Sequence, residues 1–174
     1  MSKVDLRLDW CGYEAAKFAV EHWHYSKTMP VSKRVNIGAW ENNVFIGSVI
    51  FAWGANPNMA KAYSLEMTEC VELVRVALNL HKSPVSKIVA LSLKMLKRQS
   101  KGIRLVISYA DPHHGHVGGI YQAGNWIFTG ETADKFDYIH EGKILQRRAY
   151  TGVNYGRPRR KLPDGAQKVK MPPK

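Results

Sequence analysis

The spacing of apolar residues along the chain predicts a succession of strands and helices. Spacings of three and four indicate helices, whereas alternation and short continuous apolar runs indicate strands. The predicted elements are a helix at 13–24, strands at 33–40, 44–53 and 70–78, a helix from 83 to about 100, a strand at 103–110, a short helix at 117–124, and strands at 126–129 and 145–151. This order is typical of the mixed α/β class, with a central mixed sheet that carries helices on its faces.

Local signals support these elements. The turn Glu41-Asn42-Asn43 joins two β-rich runs and predicts a hairpin. Ser83 and Pro84 suit the N-cap and the first position of a helix. The strand at 44–53 is apolar on both faces, so it is expected at the centre of the sheet.

The strand at 70–78 contains two charged residues, Glu72 and Arg75, within an apolar run. Unpaired charge is costly to bury, so these residues need a structural or functional reason.

Length and composition predict one folded domain followed by a tail. The chain has 174 residues, of which 45% are hydrophobic, so residues 1–153 are ample for a core. Residues 154–174 carry seven basic residues and one acid, and their prolines argue against a stable helix. We therefore expect one folded domain at 1–153 and a basic, flexible tail at 154–174.

The charge balance points to a polyanion as partner. Lysine and arginine number 26 against 14 acidic residues, for a net charge of +12. This surplus favours nucleic acid, although a basic but inert surface is the alternative. We expect the contacts to nucleic-acid phosphates from basic residues at the start of the predicted strand at 33–40 and in the tail, namely Lys33, Arg34, Arg157, Arg159, Arg160 and Lys161.

Two cysteines are too few for a disulfide framework, so Cys11 and Cys70 are expected as free thiols. The first ten residues carry charges where a signal peptide needs an apolar core. The apolar run at 44–55 is shorter than a membrane helix. We therefore expect a cytoplasmic protein without a membrane partner, and the sequence leaves open whether it is a monomer or a dimer.

Two segments that follow strands are candidate sites. Residues 79–86 lead into a helix whose N-terminal N–H groups suit a diphosphate, although an ordinary capped helix fits equally. Asp111 follows a buried strand, where it is expected to ligate a metal, orient a base or cap a turn. A mixed nitrogen and oxygen site for iron or another first-row metal is one interpretation of the acidic residues and the histidine loop, with Glu72, Asp111, His114 and His116 as ligands.

The segment IYQAGNWIFTG resembles the helix-to-strand signature of GNAT-type N-acyltransferases, and ELVRVAL resembles their central strand. A narrower resemblance extends over residues 20–152. The segments HWHYSKTMP, FIGSVIFAWGANPN, ELVRVAL and LVISYADPHHGHVGGIYQAGNWIFTG together resemble the Mom family of phage DNA-modifying proteins. That resemblance implies a GNAT-like fold and conversion of adenine N6 in DNA to a carbamoylmethyl derivative, which blocks host restriction. It also implies acetyl-CoA or a related donor, and iron.

The resemblance further implies roles for individual residues. The residues implied beside the reacting groups are His24, Tyr25, Ser108, Tyr109, Asp111 and Tyr121, the last as general acid. The residues implied around the donor are Arg75, Asn79, Ser83 and Ser86. Because adenine N6 is paired inside a duplex, the base must leave the stack. Two other functions stay open at this point: an ordinary acetyltransferase for a protein or small amine, and a non-catalytic DNA-binding protein.

Overall fold

The computed structural model describes residues 4–54, 56, 58–132, 135–145, 147, 150 and 161–171. The chain forms two compact units. The first contains Met1–Ala110 and Gly118–Ile127, and the second contains Asp111–Val117 and Phe128–Lys174. This division differs from the boundary expected at residue 153, because the second unit takes in residues from the middle of the chain.

The first unit is built on a five-stranded mixed sheet with the order β1-β2-β3-β4-β5. Its strands are β1 (Leu6–Trp10), β2 (Arg34–Glu41), β3 (Val44–Ala52), β4 (Cys70–Leu78) and β5 (Leu105–Ile107). Neighbouring strands are antiparallel except β4 and β5, which are parallel. The predicted mixed α/β class is confirmed, whereas the GNAT-type relationship stays a prediction.

Two helices cover opposite faces of this sheet. Helix α1 (Tyr13–Trp23) packs its small apolar side chains against Ile50 of β3, whereas helix α2 (Val85–Gln99) packs against Val49 and Phe51. Successive strand residues point to opposite faces, so the two helices lie on different sides. Both helices follow the predicted 3.6-residue pattern. A short third helix, α3 (Gly119–Gln122), has four residues and comes after β5 along the chain.

The hairpin between β2 and β3 forms as predicted. Asn42 and Asn43 have φ angles of 49° and 65°. Asparagine tolerates this left-handed region better than most residues, and a two-residue turn of this kind matches the twist of the flanking strands.

Helix α2 starts one residue later than the sequence predicts. Pro84 has extended backbone angles and is the N-cap residue, and the helix begins at Val85. Ser83 therefore lies before the cap, and its N–H group donates to the carboxylate of Glu41, 2.6 Å away. This hydrogen bond joins residues that are 42 positions apart in sequence, and it outweighs the local preference of Ser83 for the N-cap position.

The second unit contains a three-stranded antiparallel sheet with the order β7-β6-β8. Its strands are β6 (Lys135–His140), β7 (Lys143–Leu145) and β8 (Gln167–Met171). The prediction of a flexible tail is wrong for residues 167–171, because β8 pairs with β6 along its whole length.

Two predicted strands also need correction. Residues 126–129 are not a strand. Of the strand predicted at 145–151, Leu145 ends β7, Arg147 and Tyr150 are not in a strand, and residues 146, 148, 149 and 151 lie outside the described residues. Residues 151–160, with Arg157, Arg159 and Arg160, lie outside the described residues, whereas Lys161 is exposed.

Cys11 and Cys70 are free thiols, and burial raises the pKa of Cys11 to about 11. Within the described part of the chain, no helix is both long enough and apolar enough to cross a bilayer.

Candidate active site

A β-bulge in β4 brings two charged side chains to one face of the sheet. Ile50 of β3 pairs with Arg75, but the next residue, Phe51, pairs with Leu73, so Val74 is an extra residue. In a regular strand, residues three apart point to opposite faces, and the bulge reverses this for Glu72 and Arg75. Both side chains therefore lie on the face that carries α1.

Glu72 lies at the centre of a group of ionisable side chains. Its backbone pairs with Ala52 on one side and Ile107 on the other. Its negative charge raises the pKa of Cys70 and Tyr109 in addition to the larger effect of burial on each. The carboxylate is thus close to groups from both β4 and the end of β5.

Gly54 makes room for the Glu72 carboxylate. A Cβ atom at position 54 would lie 2.5 Å from Oε2 of Glu72 and 3.1 Å from the sulfur of Met59. Any side chain at this position would therefore displace the carboxylate. The sequence analysis missed Gly54, although a glycine directly after a buried strand is a signal of close approach.

Arg75 joins the loop after α1 to the sheet. Its Nε and Nη2 atoms both donate to the carbonyl oxygen of Thr28 at 3.2 Å, and Nη1 donates to the carbonyl of Val74 at 2.7 Å. Burial lowers the pKa of Arg75, and the nearby Tyr25 and Glu72 act in the opposite direction. The guanidinium therefore fixes the loop that carries Tyr25 beside Glu72.

His24 is buried at the start of that loop and has one defined tautomer. The backbone N–H of Ser26 donates to Nδ1 at 3.1 Å, so Nδ1 is the acceptor and Nε2 carries the proton. The imidazole ring lies 4.2 Å from the ring of Tyr25, measured between centroids. His24 therefore orients the loop, and Tyr25 is the more exposed of the two.

Ser108 and Tyr121 form a chain of hydrogen bonds beside β4. The Ser108 hydroxyl donates to the carbonyl of Leu73 at 2.9 Å and lies 2.7 Å from the Tyr121 hydroxyl. Burial raises the pKa of Tyr121, the charge of Glu72 adds to the rise, and the Ser108 hydrogen bond opposes it. Tyr121 is therefore held as a protonated phenol.

The segment before α2, predicted as a diphosphate cradle, is occupied by a carboxylate of the same chain. The N–H groups of Lys82 and Ser83 donate to Glu41 at 2.8 and 2.6 Å. Burial alone raises the pKa of Glu41, but hydrogen bonds from the Ser83 hydroxyl and from these two N–H groups outweigh it and lower the pKa. Two donors that a coenzyme A diphosphate would use are thus already taken, so this segment does not fit that group as it stands.

The other predicted donor residues lie apart from the Glu72 group. Asn79 donates its N–H to Ile46, and its side chain lines a pocket of about 330 Å³ with Trp23, Phe45 and Lys82. This pocket lies at the opposite end of β4, roughly 20 Å from Glu72 at about 3.3 Å per residue. Ser86 is half-buried in the first turn of α2.

The predicted iron ligands belong to different units. Glu72 is in the first unit, whereas Asp111, His114 and His116 are in the second. Asp111 is buried, and its carbonyl accepts the N–H groups of both histidines. No three His, Cys, Asp or Glu side chains converge in the part of the chain that the structure describes. The iron site therefore stays a prediction.

Comparison with known proteins gives one family and one relative of interest. The model of the Mom protein family matches residues 5–170, a longer stretch than the resemblance seen in the sequence. The protein "Methylcarbamoylase mom" of Escherichia phage Mu is 24% identical over 146 residues, which cover 79% of this chain and 61% of the relative. The chain thus spans less than two thirds of that relative's length. Because the family match extends over most of the chain, the protein belongs to the Mom family.

Proposed function

We propose that this chain modifies adenine bases of duplex DNA at N6, giving a carbamoylmethyl derivative that protects phage DNA from host restriction. The observation that carries the proposal is the family match over residues 5–170. The name of the phage Mu relative, methylcarbamoylase, supports the chemistry. A net charge of +12 suits a polyanionic substrate, and the host cytoplasm is where such DNA is found.

Glu72 is the general base in this proposal. It accepts a proton from the N6 amino group as the new N–C bond forms, which prevents a positive charge from building up on nitrogen. Three features support the choice: Glu72 and Tyr25 both interact electrostatically with Arg75, Gly54 leaves space beside the carboxylate, and its charge reaches Tyr109 and Tyr121. General-base assistance of this kind is worth about 10²- to 10⁴-fold in rate.

Tyr121 is the matching general acid. The donor has the form X–CH₂–CO–NH₂, and its C–X bond breaks while the bond from N6 to the CH₂ carbon forms. The proton from N6 goes to Glu72, and the leaving group X takes the phenolic proton of Tyr121. Return of the proton from Glu72 to Tyr121 resets the pair, so no oxidant or reductant is needed. The raised pKa of Tyr121 supports this role, because it keeps the phenol protonated at neutral pH.

The proposal assigns neither a coenzyme A site nor an iron site. The N–H groups that would hold a diphosphate bind Glu41, and among the described residues no three possible metal ligands lie together. The steps above therefore use only this chain's side chains and a donor of the stated form.

Access to N6 requires that the adenine leaves the duplex. Lys33 is exposed directly before β2, and Arg34 lies with its guanidinium 4.9 Å from the ring of Tyr13. Both residues lie at the end of the sheet where β4 begins, which is the end that carries Glu72. We propose that they hold the phosphates next to the extruded base. The tail cations add contacts that do not depend on sequence.

The proposal is tested by expressing the protein in a bacterium and challenging its plasmid DNA with restriction enzymes whose sites contain adenine. Plasmid from cells that make the wild-type protein should resist cleavage. Plasmid from cells that make Glu72→Gln should be cut, whereas Glu14→Gln, an exposed control on α1, should protect like the wild type. Cleavage of all three plasmids, with the wild-type protein folded, would count against the DNA-modifying function.

The same experiment separates the two alternative functions. Equal protection of the isolated plasmid by Glu72→Gln and the wild type means that DNA is modified without Glu72, whereas DNA binding without any protection of the isolated plasmid indicates a non-catalytic DNA-binding protein. Turnover of an acetyl donor with a protein or small amine, without any change to DNA, indicates an ordinary acetyltransferase.

A further inference from the structure

The three-stranded sheet of the second unit has one face that carries lysines and aromatic rings. Residues directly opposite each other on antiparallel strands project to the same face. The strand pairing therefore places together Phe136, Tyr138 and His140 of β6, Lys143 and Leu145 of β7, and Lys168 and Lys170 of β8. The three lysines are exposed, whereas the rings are half-buried. We call this surface the basic face, because none of these residues is acidic.

The opposite face of the same sheet has a different character. Its described side chains are mostly apolar and include Ile139, Ile144, Val169 and Met171. Asp137, the one acidic residue within these three strands, also belongs to this face, and its Oδ1 atom accepts the backbone N–H of Arg147 at 2.8 Å. The alternation of residues along β6 and β8 thus separates the lysines from the carboxylate, and the basic face has a field of one sign.

The ring of Phe136 brings two cations together on the basic face. The Nζ atom of Lys168 lies 3.9 Å from the ring centroid, and the guanidinium carbon of Arg147 lies 4.8 Å from it. Both distances are within the range of a cation–π contact. The two charges are therefore less than about 10 Å apart, which is the Debye length at 0.1 M salt, so they repel each other. The ring offsets part of this repulsion, and an anion that meets both cations would offset the rest.

The cations of the basic face are supported by an ordered framework. The ring of Phe136 meets that of Tyr138 edge-on at 5.7 Å, and Tyr138 meets Tyr150 in the same way at 6.3 Å, measured between centroids. The Nε2 atom of His140 donates to the carbonyl of Asp164 at 3.1 Å, which ties β6 to the turn before β8. Because the backbone under the lysines is already paired, less conformational freedom is lost on binding than for a flexible tail.

The spacing of the lysines fits a chain of phosphates better than a single small anion. Lys168 and Lys170 are two residues apart on one strand, which corresponds to about 7 Å. Lys143 lies on the other edge strand, two strand spacings or roughly 10 Å away. Each strand of a DNA duplex presents a phosphate about every 3.4 Å along the helix axis. Separate lysines of the basic face can therefore meet separate phosphates of one duplex.

We propose that the basic face is a second surface for the DNA backbone, in addition to Lys33 and Arg34 of the first unit. Lys143, Lys168 and Lys170 contact phosphates, and Phe136 positions Lys168. The proposal deepens the proposed function and rests on it for DNA as the partner. Contacts of this kind add affinity without reading sequence. They assign the second unit to substrate binding and not to the transfer step.

The test measures binding of the full chain to a DNA duplex over a range of salt concentrations. Lys168→Ala combined with Lys170→Ala should lower the magnitude of the slope of log K against log salt by about two. Binding at 0.1 M salt should then be weaker by about 10- to 100-fold. Replacement of both lysines by arginine should retain the wild-type slope. Lys143→Ala is an independent variant on another strand and should lower the slope by about one.

The positioning role of Phe136 has its own readout. Phe136→Leu keeps an apolar side chain but removes the ring that contacts Lys168, so it should weaken DNA binding by about 2- to 5-fold. Phe136→Tyr restores an aromatic ring and should restore the wild-type affinity. Equal affinity in the Phe136→Leu and Phe136→Tyr variants would remove Phe136 from the proposal.

Lys94→Ala combined with Lys97→Ala is the matched control, because both lysines are exposed on α2 and the change of net charge is the same. Equal loss of affinity in the two double variants overturns the surface, and so does an unchanged salt slope in the Lys168 and Lys170 variant. Weaker binding of that variant to vesicles of anionic lipids, with its DNA affinity unchanged, overturns DNA as the partner. Thermal unfolding confirms that each variant folds.

Analysis of nucleosides from cells that express the protein distinguishes this inference from the proposed function. Modified adenine in the wild type, together with wild-type DNA affinity in the Lys168 and Lys170 double variant, overturns the surface while the function stands. Unmodified adenine in the wild type, together with a DNA affinity that depends on these two lysines, overturns the function while the surface stands.

Discussion

The Tyr121 hydroxyl lies 2.7 Å from the Ser108 hydroxyl, and the geometry fixes which of them donates. The proton of Ser108 is given to the carbonyl of Leu73. Its oxygen therefore accepts, and the phenolic proton of Tyr121 points to it. The side chain proposed as the acid is thus held protonated and in one orientation before substrate arrives.

Removal of the Tyr121 hydroxyl tests this role. Tyr121→Phe keeps the ring against Trp126, 5.3 Å away between centroids, so the fold should survive. The rate of DNA modification should fall by about 10²- to 10⁴-fold. Tyr13→Phe, at an exposed ring on α1, is the control and should leave the rate unchanged. Equal rates for the two variants would remove Tyr121 from the chemistry.

The approach of Gly54 to Glu72 gives a second prediction. In Gly54→Ala the new methyl group pushes the ends of the Glu72 and Met59 side chains aside, and both are flexible. The unfolding free energy should change by about 1 kcal/mol or less, whereas the modification rate should fall at least tenfold. Gly12→Ala is the control, because a Cβ there has no neighbour within 4 Å. A full modification rate in Gly54→Ala would show that the position of the Glu72 carboxylate is not critical.

The Glu41 carboxylate accepts hydrogen bonds from the segment before α2. We therefore expect the stability of the protein to depend on pH. The pKa of Glu41 is lower in the folded protein than in the unfolded chain. Its stabilisation is therefore complete above the unfolded-state pKa and is lost as the pH falls through the folded-state pKa. Glu41→Gln should cost about 1 kcal/mol at neutral pH and should flatten the acid limb of a plot of unfolding free energy against pH. Glu14→Gln should keep the wild-type curve, and an unchanged curve for Glu41→Gln would contradict the capping role.

The positions of two lysines in the first unit predict different effects of their removal. Lys33 lies at the end of the sheet that carries Glu72, whereas Lys94 is exposed on α2. Lys33→Ala should weaken DNA binding and lower the magnitude of the salt slope by about one. Lys94→Ala makes the same change of charge and should leave the modification rate at low DNA concentration unaffected. A larger loss of DNA binding in Lys94→Ala than in Lys33→Ala would contradict the placement of DNA at the end of the sheet that carries Glu72.

Much of the first unit could be predicted from its sequence. Strand β4 was predicted with its observed bounds, and the hairpin at Asn42 and Asn43 formed as expected. These elements have strong periodicity and local turn signals, which do not depend on distant residues.

The convergence of the site could not be predicted in the same way. Glu72 and Arg75 share a face only because of the bulge at Val74, which no local pattern announces. The contact of Glu41 with Ser83 joins residues 42 positions apart, so local capping rules misplaced the start of α2. The lysine-rich strand β8 lies within the segment predicted as a tail. Its alternation of apolar residues, Val169 and Met171, is too short to stand out among the charged residues.

The most direct test of the account is mass spectrometry of nucleosides from plasmid DNA of cells that express the wild-type protein or Glu72→Gln. The account predicts a deoxyadenosine that carries one carbamoylmethyl group, with fragmentation that keeps the added group on the base at N6, and its loss in Glu72→Gln. Unmodified adenine in DNA from cells that contain the folded wild-type protein, or equal modification by Glu72→Gln, would contradict it.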